Sequence, residues 1–189
     1  MTCDLNNEWA FLHIPKTGGS FVYQVLQNAG LVYRRCGHEH NWTHGSRRAF
    51  CIIRHPVDWW LSMWCHQVDH HWPTYDGQHP VYGVNRLGAL PAEEWLRRAA
   101  DLNGFYSEML AKFVANSEVY LRTATLNCDL MSFSYRNGWN LKLIPRVNVE
   151  KTKTPPISEY TRNALLSAES EALKIWQRSG LTAIPSYEI

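Results

Sequence analysis

Residues 8–30 read EWAFLHIPKTGGSFVYQVLQNAG, and the order of the patterns within them decides the fold. The apolar run over 8–14 is short enough for a strand, and Pro15 and the pair Gly18 and Gly19 stop it. Beyond the glycines, Phe21, Val22, Val25, Leu26 and Ala29 recur at the spacing of one helix face, and Gly30 closes the pattern. Strand, tight loop and amphipathic helix therefore follow one another. The loop, Pro15-Lys16-Thr17-Gly18-Gly19-Ser20, offers backbone N–H groups at a helix N-terminus, two glycines that admit an anion closely, hydroxyls and one lysine. In chemical terms this is a phosphate cradle. It is not the GxxxxGK(S/T) loop, because the lysine precedes the glycines. A plain turn from strand to helix would use the same Gly and Ser, so the hexapeptide alone leaves both readings open.

Working outward, LVYRR at 31–35 reads as a second short strand, and AFCIIR at 49–54 as a buried strand leading into PVDWWLSMWCHQVDHH. Pro56 suits the first turn of that helix. Residues 72–90, with Pro73, Gly77, Pro80, Gly83 and Gly88, show no sustained period and read as a long surface loop. Helices are predicted over 91–102 and 104–115, a strand at SEVYLR (117–122), and a helix over 125–138 that ends at Gly138. NVEKTKTPP at 148–156 breaks the chain, and 157–180 reads as one last helix with Ser158 as its cap. Alternating short strands and helices predict an α/β protein whose mainly parallel sheet is flanked by helices and binds ligands beyond the carboxyl ends of its strands.

With 189 residues, 45% of them hydrophobic, the chain is expected to close one core as a single domain over 1–189. Nineteen basic against seventeen acidic side chains give a net charge of +2, too mild a bias for a nucleic-acid partner. Any anion site is then local. The cysteines Cys3, Cys36, Cys51, Cys65 and Cys128 are odd in number and scattered, and read as reduced thiols of a cytoplasmic protein. The N-terminus has no signal-peptide pattern, and no stretch approaches the roughly 18 apolar residues of a span, so no membrane association is expected. The aromatic residues of 59–82 suit a sugar or aromatic pocket, or equally the packing between helices.

A second element lies at Arg54, which ends a predicted strand, with Pro56 opening a helix and Ser62 near the end of its second turn. A guanidinium and a hydroxyl so placed can grip one terminal phosphate, although alone they read as a surface arginine and a helical serine. Together, FLHIPKTGGS (11–20) and CIIRHPVDWWLS (51–62) resemble the sulfotransferase superfamily, in the branch of carbohydrate sulfotransferases and their small bacterial and viral relatives. The first is similar to that family's 5′-phosphosulfate loop and the second to its 3′-phosphate motif. The likeness extends more weakly to VYLRTATLNCDL (119–130) and NVEKTKT (148–154), in order along the chain.

The resemblance implies a P-loop-kinase-like sulfotransferase fold and the co-substrate 3′-phosphoadenosine 5′-phosphosulfate. It implies that Lys16 contacts the 5′-phosphate and the bridging oxygen, that Thr17, Gly18, Gly19 and Ser20 cradle the 5′-phosphate, and that Arg54 and Ser62 hold the 3′-phosphate. Many relatives carry a hydroxyl residue where this chain has Gly19, so that contact is absent or made by backbone N–H. Phe21 falls where cytosolic relatives place an adenine-stacking ring, while its place on the first helix equally suits a core residue.

Sulfuryl transfer needs in-line placement and neutralisation of charge on the leaving oxygen, which Lys16 offers without a metal. It also needs a base for the acceptor proton. Histidine titrates near the working pH, and the segment over 37–44 lies between predicted strands, where related enzymes commonly supply theirs. His38 is the first choice, with His40 and Glu39 behind it. The acceptor is then a small molecule or a carbohydrate with a hydroxyl or amine.

Three rivals compete. Cys36, His38, His40 and His44 cluster, and His66 and His70 stand four apart, but HExxH fails at Trp42 and no zinc-finger spacing occurs, so no metal is expected. A nucleotide kinase would need another phosphate loop and an acidic partner for Mg²⁺. A non-catalytic member of the fold would bind nucleotide or sulfated ligands without turnover.

Overall fold

A computed structural model of the chain describes residues 2–5, 8–35, 48–70, 90–145 and 152–179. Among the described residues the strands are β1 (Cys3–Leu5), β2 (Trp9–Leu12), β3 (Val32–Arg35), β4 (Arg48–Ile53) and β5 (Val119–Arg122). The helices among the described residues are α1 (Gly19–Asn28), α2 (Pro56–Asp69), α3 (Ala92–Ala100), α4 (Phe105–Val114), α5 (Leu126–Arg136), α6 (Glu159–Ala168) and α7 (Ser170–Ser179). The protein is α/β, as its alternating patterns predict. Two compact groupings emerge: Met1–Arg54, Met109–Asn148 and Lys174–Ile189 form one, and His55–Glu108 with Val149–Leu173 the other.

The first unit holds the whole sheet, in the order β3-β1-β2-β4-β5. Strand β2 pairs parallel with β4, and β4 parallel with β5, whereas β1 runs antiparallel to both β2 and β3. The sheet is therefore mixed where a mainly parallel one was expected. The difference comes from β1, three residues too short to show an alternating pattern. Pairing on both of its edges makes it a strand, with Cys3 opposite Phe11 on one side and Arg35 on the other.

Strand β4 shows why the centre is parallel. Its residues from Ala49 to Ile53 are all buried, as in a strand covered on both faces. Helix α1 turns Phe21, Val22, Val25 and Leu26 onto a cluster that includes Phe11, Phe50, Ile52 and Leu121 from the sheet and Leu126, Leu130 and Phe133 from α5. Gly30 ends α1 with a positive φ of 69°, and Gly138 follows α5 with 66°, conformations that glycine adopts without steric cost.

The second unit is helical among the described residues. Trp59, Trp60, Trp95 and Tyr106 are fully buried in it. Trp59 stacks on Tyr106 with ring centroids 4.5 Å apart, and Trp60 meets Trp95 edge-on at 5.8 Å. These aromatics of α2 are packing residues, which decides the ambiguity of their sequence for positions 59 and 60.

The segment read as one last helix is two helices that meet at Glu169. Glu169 is 1% exposed, and its carboxylate accepts hydrogen bonds from the Tyr106 and Ser107 amides at 3.0 and 2.7 Å, the Ser107 hydroxyl at 2.7 Å and the Trp60 indole at 3.1 Å. Those amides belong to the first turn of α4, whose N–H groups have no partner within their own helix. Ser158 caps α6 as expected, its hydroxyl accepting from the Thr161 amide at 3.1 Å.

Candidate anion site

Strand β2 delivers the chain into the loop 15–18, and α1 leaves it at Gly19. Lys16 has φ +63° and Gly18 φ +93°, whereas Thr17 between them is not in the positive region. Alternating signs of φ are the backbone pattern that can turn successive peptide N–H groups toward one side, as anion-binding loops do. At Gly18 glycine is demanded by φ, and a Cβ there would also come within 3.0 Å of the Leu126 side chain. Lys16 adopts the same hand with a side chain, at a cost of about 1 kcal/mol. Strain of this kind persists where surrounding contacts impose it.

Those contacts come from neighbouring strand ends in the same unit. Arg54 follows β4, the parallel neighbour of β2, and its guanidinium donates from Nη1 to the Lys16 carbonyl at 2.9 Å. Thr123 follows β5, and its hydroxyl lies 2.8 Å from the Thr17 carbonyl and 3.1 Å from that of Ile53, donating toward both. Arg122 turns instead to the last turn of α7, with Nε 3.1 Å from the Ser179 hydroxyl and Nη2 3.1 Å from the Trp176 carbonyl. The Arg54 guanidinium thus meets the backbone of the loop at Lys16, joining the two sequence motifs.

Other predicted residues are placed differently. Thr17 is fully buried, and its hydroxyl donates to the Ile14 carbonyl at 2.7 Å, so that hydroxyl is engaged within the loop. Gly19 and Ser20 open α1, Ser20 half-buried. Phe21 is 3% exposed and belongs to the core cluster. Ser62 lies on α2 in the second unit and is 3% exposed. His38, His40 and Glu39, together with Cys36 and His44, lie outside the described residues, as does the loop 72–90 up to position 89. Among the described residues no group of three or more His, Cys, Asp or Glu side chains is placed to hold a metal ion.

Three further residues went unread in the sequence. His13, 7% exposed, sets its ring against Gly19. His55 is the N-cap of α2, and burial pushes its imidazole below the ordinary histidine range, with Asp58 opposing the shift and Arg162 adding to it. Both histidines flank the motif residues directly, and that adjacency was the available signal. Thr123 stands just after a predicted strand, within the 119–130 stretch of weaker likeness, and those were its only signals.

Among the described residues no helix is long and apolar enough to cross a membrane. Compared with protein-family models, curated proteins and solved structures, the chain matches none in any of the three.

Proposed function

We propose that the protein is a sulfotransferase with a P-loop-kinase-like fold, moving a sulfuryl group from 3′-phosphoadenosine 5′-phosphosulfate to a hydroxyl or amine of a small-molecule or carbohydrate acceptor. The observation that carries this reading is the meeting of Lys16 and Arg54 on one loop of alternating backbone hand, with 2.9 Å between the guanidinium and the Lys16 carbonyl. It is supported by the likeness of residues 11–20 and 51–62 to the family's two nucleotide motifs. The loop amides from Thr17 to Ser20 receive the 5′-phosphate, and the likeness of residues 51–62 to the family's 3′-phosphate motif assigns Arg54 and Ser62 to the 3′-phosphate.

In the reaction the acceptor oxygen or nitrogen forms a bond to sulfur as the bond from sulfur to the bridging oxygen breaks. The acceptor proton passes to a base, and the leaving group is adenosine 3′,5′-bisphosphate. Negative charge grows on the bridging oxygen, where the Lys16 ammonium neutralises it. His38 takes the proton as neutral imidazole, with His40 as the alternative.

The test is calorimetry followed by an acceptor-library screen with labelled donor. Adenosine 3′,5′-bisphosphate should bind in preference to AMP and ATP, and Arg54→Ala should weaken it roughly ten- to a hundredfold through loss of a charge-assisted contact. Equal affinity for AMP would sink the reading. Selective binding with no transfer to any acceptor would make the protein a binding member of the fold.

A further inference from the structure

We infer that Thr123 is a positioning residue for the anion loop, a role that deepens the proposed function and rests on it for the identity of the nucleotide. The argument begins with the peptide unit. In a planar trans peptide the C=O of one residue and the N–H of the next point in opposite directions, and the described chain contains no cis bond. A donor that holds a carbonyl therefore also aims the following amide.

Two consecutive loop carbonyls are held in this way. Arg54 holds that of Lys16 and so directs the Thr17 amide, and Thr123 holds that of Thr17 and so directs the Gly18 amide. Both donors stand at the ends of strands parallel to β2, so both amides point away from those strand ends. The Thr123 hydroxyl also lies 3.1 Å from the carbonyl of Ile53, the residue before Arg54. One side chain thereby ties the loop to the backbone that carries its second cation. Its own position is set by β5 and the turn Thr123–Thr125, so it enters the loop from outside the motif.

The role differs from general support of the fold. Thr123 is half-buried and its hydroxyl reaches strand and loop ends, not the central rungs of the sheet. Replacing the hydroxyl by a methyl of similar shape releases the Thr17 carbonyl and lets the 17–18 peptide rotate. The amides should then lose their common direction while the sheet persists.

The experiment compares wild type with Thr123→Val, Thr123→Ala and Thr123→Ser. Hydrogen exchange at the amides of residues 16–20 and of β4 is followed by NMR, and inorganic sulfate and adenosine 3′,5′-bisphosphate are titrated separately. Thr123→Val should speed exchange at Thr17 and Gly18, leave β4 protected, and weaken affinity by about tenfold, the scale of one or two lost hydrogen bonds. Thr123→Ser should restore affinity to within about twofold, since it keeps the donor. Wild-type affinity and loop exchange in Thr123→Val would overturn the inference, as would an equal loss in Thr123→Ser. Unfolding of both Thr123→Val and Thr123→Ala would overturn it too, since the hydroxyl would then serve the fold. If wild type binds sulfate but not the nucleotide, the sulfotransferase reading fails while the positioning role stands. If wild type binds neither, exchange at Thr17 and Gly18 decides the role by itself.

Discussion

The imidazole of His13 occupies the space into which a side chain on Gly19 would grow: a Cβ built on Gly19 would fall 1.8 Å from its Cδ2. Gly19 has an ordinary helical backbone as the first residue of α1, so its glycine answers to this close approach and not to φ. The histidine ring also stacks on Phe11, with centroids 5.9 Å apart, which limits its retreat. Gly19→Ala is therefore expected to cost roughly 1–3 kcal/mol by overpacking, measured by denaturant unfolding. In a His13→Ala background the same change should be nearly neutral, because the obstructing ring is gone. Equal costs in the two backgrounds would show that the ring does not set the identity of residue 19.

Lys16 combines a strained backbone with the charge assigned to the reacting oxygen. Lys16→Ala keeps the strain and removes the charge, so turnover should fall by a larger factor than affinity for adenosine 3′,5′-bisphosphate. Lys16→Gly removes both, and should be more stable than Lys16→Ala by about 1 kcal/mol. Steady-state kinetics, calorimetry and thermal unfolding check the three quantities. Equal losses of turnover and affinity in Lys16→Ala would make Lys16 a binding residue only.

Glu169 joins the start of α4 to the break between α6 and α7. Substituting alanine leaves two buried amides, a serine hydroxyl and an indole N–H without this acceptor. A loss on the order of 3 kcal/mol is expected, since hydrogen bonds to a charged group are the stronger kind and orphaned donors retain their desolvation cost. Glu169→Gln keeps one acceptor oxygen and should lose less. A difference of under about 0.5 kcal/mol between wild type and Glu169→Ala, the range of ordinary surface changes, would refute this account.

His55 predicts a pH dependence. Burial lowers its folded-state pKa below the ordinary 6.5, so between the two values the unfolded chain binds more protons than the folded one. Stability contributed by neutral His55 is then fully present above pH 6.5 and is lost as the pH falls through the folded pKa. His55→Gln should flatten that part of the stability profile, as followed by denaturant midpoints across the acidic range. An unchanged slope below pH 6.5 would show that His55 does not titrate with folding.

The local elements were legible because their causes are local. The apolar run before Pro15, the helical spacing from Phe21 to Ala29, and the stops at Gly30 and Gly138 each lie within a few residues of the element they bound. The Lys16 loop and Arg54 could be picked out for the same reason, each being a cation in a short recognisable setting. Tertiary structure alone decided what depends on partners distant in sequence. Strand β1 exists through its neighbours on both edges, Glu169 breaks a helical pattern to reach amides more than 60 positions away, and Thr123 meets the loop across 106 positions. Sequence pattern records which face of an element is apolar, and so it placed Trp59 and Trp60 on a helix without saying what would cover them. The direction of a carbonyl or the occupant of the space beside a glycine is set by whichever side chain the fold brings there, and no periodicity encodes it.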